Sequence, residues 1–121
     1  MAFVLASCHE SMEDKAAREM AEYTQKNCPV EVGKGVSLDS MYFNRDAKEL
    51  CYCYTLSGAN DTTLTDDFKK QQREALINSV RNAPSLKAYK EAGLNFRYTY
   101  YSQKEKGKVL FDCLMGEKDY Q

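Results

Sequence analysis

The chain has 121 residues, 43% hydrophobic and 29% charged, a composition that rules out disorder and allows one modest core burying roughly two-thirds of the unfolded surface. Seventeen basic against eighteen acidic side chains give a formal net charge of −1, so the broad cationic field that a nucleic-acid binder relies on is missing. No run of about twenty apolar residues is present to span a membrane as a helix.

The chain opens on AFVLASCHE, residues 2–10, an apolar run that gives way to small residues, a cysteine and polar chain. Leu5-Ala6-Ser7-Cys8 resembles the lipobox of bacterial lipoproteins. Small side chains beside the cleaved bond admit a signal peptidase, and a free thiol takes a diacylglycerol. The resemblance implies that residues 1–7 are a residual signal-peptide segment, and that Cys8 is the lipidated first residue of the mature chain. Residues 8–10 then begin a tether, and residues 11–121 form a single domain. The basic region and full apolar stretch of such a signal are expected upstream of Met1. The other reading makes AFVLA a terminal segment or short edge strand of a cytosolic protein.

Residues 11–27 are predicted helical. Ser11 can cap the start, and Met12, Ala16, Met20 and Tyr23 recur at helical spacing. Pro29 disfavours helical geometry at Cys28 and ends it. The stripe is narrow, so light packing on one layer is expected. Gly33-Lys34-Gly35 reads as a turn, and a strand follows at about Val36–Phe43. After a polar connection, ELCYCYTL (49–56) alternates, with Leu50, Tyr52, Tyr54 and Leu56 on one face and Cys51, Cys53 and Thr55 on the other. Residues 57–61 read as a loop.

Thr65 is a predicted N-cap, with Asp66 and Asp67 in the first turn where carboxylates suit the helix dipole. That helix runs to about Arg81, with Phe68, Gln72, Ala75, Leu76, Ser79, Val80 and Ala83 near one face. A short helix over Pro84–Ala92 has proline at its start and Gly93 just past its end. Strands follow at 94–102 and 108–115, and GEKDYQ reads as a polar tail. The order α-β-β-α-α-β-β predicts an α+β fold, a four-stranded antiparallel sheet with helices on one face. Across roughly residues 36–113, LDSMYFN, LCYCYTL and EAGLNFRYTYYSQKEKGKVLFDC resemble small exported bacterial proteins of unassigned function. That resemblance implies export and brings no activity with it.

Five cysteines are an odd number. With Cys8 lipidated, Cys28, Cys51, Cys53 and Cys113 remain, as disulfide partners or as buried thiols. Cys51 and Cys53, two apart on one strand face, are poorly placed to bond each other. A cysteine nucleophile needs a base, and the single histidine, His9, lies beside the lipidation site. No nucleophile elbow, phosphate loop or dinucleotide fingerprint occurs. Neither a catalytic residue nor a metal site is assigned, and no cofactor is expected. Tyr52, Tyr54, Tyr98 and Tyr100 share faces with leucine and phenylalanine and are expected in the core. Tyr101 falls on the opposite face with Arg97 and Thr99, a candidate interaction surface.

The expected function is that of a non-enzymatic envelope lipoprotein, an assembly factor, inhibitor or accessory subunit. It would meet an unknown protein partner in the cell envelope and the membrane through its lipid anchor only, without nucleic acid. The alternatives are a cytosolic interaction or regulatory domain with reduced cysteines, and a small-molecule or soft-metal binder using Cys51 and Cys53.

Overall fold

A computed structural model describes residues 10–121, so the Leu5–Cys8 motif and His9 lie outside the described residues. Helix α1 spans Met12–Asn27; Ser11 Oγ accepts from the Asp14 N–H at 3.0 Å, while Glu13 and Asp14 occupy the first turn and Lys26 the last. These charges complement the helix dipole. Strands β1 (Val30–Gly33), β2 (Val36–Asn44) and β3 (Glu49–Leu56) follow, then α2 (Asp66–Arg81), capped by Thr65 Oγ1 on the Phe68 N–H at 3.2 Å. A 3-10 turn at Pro84–Leu86 leads into α3 (Lys87–Glu91). The chain closes with β4 (Asn95–Ser102), β5 (Val109–Met115) and α4 (Glu117–Tyr120).

One sheet runs in the order β1-β2-β3-β4-β5. It corrects the expected four antiparallel strands in two respects. Residues 30–33 form an added strand, antiparallel to β2 across the Lys34-Gly35 turn. An added Cβ at Gly35, where φ is +72°, would stand 2.8 Å from Ser57 O and from Asn60 Nδ2. The tight hairpin, pinned against residues 57–60, therefore requires glycine there. The second correction is that β3 and β4 are parallel, Leu50 beside Phe96 and Tyr54 beside Tyr100. Helices α2 and α3 form the crossover that a parallel pair requires. The α+β class, with one sheet against helices, stands.

Core side chains from every helix meet one side of the sheet: Ala16 and Met20 of α1, Val80 of α2, Tyr89 of α3 and Tyr120 of α4 join Phe43, Leu50, Phe96, Phe111 and Met115. Tyr52 and Tyr98 stack with centroids 4.5 Å apart, as do Tyr54 and Tyr100, so the expected aromatic core is present. Three expectations are corrected here. Phe68 is 50% exposed, and Ile77, rather than Ala75, packs against the core. The segment read as a polar tail carries α4 and buries Tyr120, whose hydroxyl donates to Leu94 O at 3.0 Å. Residues 57–61 contain a 3-10 turn and end on buried Asp61, which accepts from Ser102 Oγ at 2.6 Å and from the Lys104 N–H at 2.9 Å.

Candidate functional site

Strand alternation decides which side chains are left on the side of the sheet away from the core. Where Leu50, Tyr52 and Tyr54 of β3 face the helices, Cys51, Cys53 and Thr55 face away. In β4 the same rule sends Arg97, Thr99 and Tyr101 outward, and the paired register brings Arg97 beside Cys51 and Thr99 beside Cys53. Tyr42 of β2 pairs with Cys51, and Asp112 of β5 pairs with Thr99. The result is a shallow cavity of about 290 Å³. Cys51, Cys53, Arg97 and Thr99 contribute from the central strands, with Tyr42 on one side and Tyr101, Val109 and Asp112 on the other.

Charge is organised across this face. Arg97 Nε and Nη2 donate to the two Asp112 carboxylate oxygens at 3.1 and 2.7 Å, and Thr99 Oγ1 donates to Asp112 Oδ1 at 2.8 Å. Arg97 Nη1 lies 3.6 Å from Glu49 Oε1. The paired fork holds the Asp112 carboxyl below the ordinary carboxylate value, chiefly through the Arg97 bonds, and raises Arg97 above its own. Farther along the face, Asp39 accepts from Ser37 Oγ and Thr55 Oγ1. Tyr42 is 50% exposed and its hydroxyl is pushed up to about 12, mainly by its bond with Cys51.

Of the sequence-derived candidates, Arg97, Tyr101, Cys51 and Cys53 come together on this face. Cys28 and Cys113 do not. Cys28 ends α1, and Cys113 lies buried on the core side, 3.5 Å from Arg73 Nη1. All four stand as free thiols. Burial raises the pKa of each and favours the neutral thiol over the thiolate. Soft-metal binding at Cys51 and Cys53 needs a further ligand, and among the described residues no group of three or more histidine, cysteine or acidic side chains is placed to hold a metal. Among the described residues no helix is long and apolar enough to cross a membrane.

Sequence reasoning missed Tyr42 and Glu49 as members of this face, because cross-strand register decides their company; alternation turned Asp112 away from Phe111 and Cys113 but did not name Arg97 and Thr99 as its partners. It also missed an apolar cleft of about 450 Å³ on the helix side, where half-exposed Phe68 meets Leu56, Leu64, Tyr100 and Phe111.

The fold, a five-stranded mixed sheet with helices on one face, is shared with three solved structures. A candidate secreted protein from Pseudomonas aeruginosa superposes with a TM-score of 0.69 at 9% identity, over 93% of this chain and 100% of that one. The type II secretion system pilotin AspS from Vibrio cholerae gives 0.63 at 12% identity, over 88% and 90%. The pilotin EpsS of the Vibrio vulnificus type 2 secretion system gives 0.65 at 10% identity, over 90% and 91%. No curated protein matches the sequence significantly. At the sequence level the chain belongs to the family described as domain of unknown function DUF8479, which matches residues 11–111.

Proposed function

We propose that this protein is a non-enzymatic accessory factor of the bacterial cell envelope, anchored through a lipid on Cys8 and acting by holding a partner protein on the uncovered face of its sheet. The carrying observation is that, among the described residues, helices cover one side of the sheet only. The other side gathers two tyrosines and a fixed guanidinium–carboxylate pair. Tyrosine and arginine are among the residues enriched where proteins bind one another. Burial holds the thiols of this face toward their neutral form, with the Glu49 carboxylate 3.8 Å from Cys51 Sγ, which supports binding over catalysis. The shared fold with two secretion-system pilotins and a candidate secreted protein supports an envelope role in assembly. A second site for the same function is favoured by Phe68, a large apolar side chain held half in solvent above the cleft.

A photo-crosslinking side chain placed at Tyr101, at Phe68 or at Gln71 on the exposed surface of α2, in cells carrying the complete gene, tests this. A discrete envelope partner captured from Tyr101 and absent from Gln71 supports the reading. Capture from Phe68 alone moves the contact to the cleft. Loss of membrane association in Cys8→Ser, with intact mass spectrometry of the native product showing a diacylglyceryl addition on Cys8, supports the anchor. A soluble product that keeps Met1 or Ala2 overturns it.

A further inference from the structure

The two margins of the sheet are finished differently. Beyond β1, the edge of β2 is closed by α1: Thr24 Oγ1 accepts from the Met41 N–H at 2.8 Å, and its one hydroxyl proton is shared between the Met41 and Met20 carbonyls at 2.8 and 2.9 Å. Such a plug removes the unpaired backbone that invites another strand. On the far margin, Arg73 Nη1 donates to Leu114 O at 2.9 Å and closes only the end of β5. An outward carbonyl at Leu114 places the N–H and C=O of Asp112 outward as well, because an antiparallel strand turns alternate residues to alternate sides. Beside this open position, and the bulge at Leu110 that precedes it along β5, lies a hollow of about 460 Å³ between Val109–Asp112 and the side chains of Lys69, Lys70 and Arg73. Among the described residues, neither lysine is in an ion pair, while Arg73 lies 3.4 Å from Asp119.

We propose that β5 accepts an extended, acidic segment of a partner protein as a further strand, its alternate carboxylates lying against Lys69, Lys70 and Arg73. Main-chain bonds would supply affinity and the cations the choice of sequence. This rests on the reading that the protein works through protein contacts, and it names a partner chemistry for them. Val109 and Asp112 line both this hollow and the uncovered face, so an added strand would extend that face. A second copy fits less well, since pairing β5 with β5 about a two-fold axis would set the two lysine pairs toward each other. An anionic membrane surface would leave the backbone donors and acceptors of the strand unmatched.

The test uses a fluorescein-labelled peptide of about ten residues, a typical strand length, alternating glutamate with threonine or valine, titrated against the whole protein by fluorescence polarisation. Binding that weakens with salt, that slows amide exchange at Asp112, and that falls by about tenfold in Lys69→Glu/Lys70→Glu is expected, two surface charge contacts being worth that much. Lys70 is exposed and Lys69 half-buried on α2, and circular dichroism checks that the variant folds. The same peptide N-methylated on alternate residues keeps its charge but loses strand pairing, and it should not bind. Equal binding of the methylated peptide, or indifference to the double substitution, overturns the inference. So do preferential, competing capture by phosphatidylglycerol vesicles and self-association in sedimentation. Envelope capture from Tyr101 is scored separately: if it survives in the double variant while peptide binding is absent, this inference alone fails.

Discussion

Asp112 is where the uncovered face concentrates its order: one carboxylate accepts from both arms of Arg97 and from Thr99. Its side chain is about one-third exposed, at 32%, so solvent screens the pair and Asp112→Asn should cost roughly 1 kcal/mol or less in a urea titration. Its larger effect should be on partner capture from Tyr101, because Arg97 loses its orientation. Asp112 and Asp61 both ionise below the ordinary carboxylate value in the folded protein. Their stabilisation is therefore complete above about pH 4, the unfolded value, and is lost as pH falls through the lowered folded values. Thermal melts from pH 7 to pH 2 should show stability declining only below about pH 4. The desolvated thiols, two buried and one half-buried, act in the opposite range. Cys51, Cys53 and Cys113 have raised pKa values, so stability should fall once pH rises past the free-thiol value of about 8.5. A disulfide reagent at pH 8 should react with them much more slowly in the native protein than in the unfolded one.

At the scale of elements, the helix starts rest on single side chains. Thr65→Ala removes the cap on α2 and should cost about 1 kcal/mol. Thr24→Val keeps the shape but strips the hydroxyl that reaches both Met41 backbone atoms, and should cost about 1–3 kcal/mol. Both are measurable by chemical denaturation, and a loss at Thr24 below that at Thr65 would contradict the plug described for β2. The caps at Ser11 and Thr65 and the alternation of residues 49–56 were legible in the sequence because they are local: three residues decide a cap, and eight decide a face. The strand at 30–33 was not, since its four residues are half-exposed or exposed and it exists only by pairing with β2. The direction of β4 was hidden for a related reason. Whether two helices return the chain antiparallel or carry it across depends on where they pack, which no window of sequence contains. The grouping of Arg97, Thr99 and Tyr101 could be read from alternation, whereas Asp112 joined them only through the β4–β5 register.

At the scale of the molecule, Phe96, Leu50, Met115 and Val80 are fully buried in one cluster that touches every helix. Phe96→Ala should cost about 3–5 kcal/mol. That approaches the whole stability of a small protein, about 5–15 kcal/mol, so the variant should be marginally folded at best in a thermal melt. The four rings of Tyr52, Tyr98, Tyr54 and Tyr100 form a near-parallel pile whose members come alternately from β3 and β4. In a chain without tryptophan, tyrosine governs the near-ultraviolet spectrum. Coupled transitions in rings held this close depend on the mutual angle of two strands and vanish when side-chain packing loosens, even if helices survive. The protein thus carries a built-in optical gauge of the β3–β4 junction. A partner strand that settles on β5 and twists the sheet would be visible there without any label.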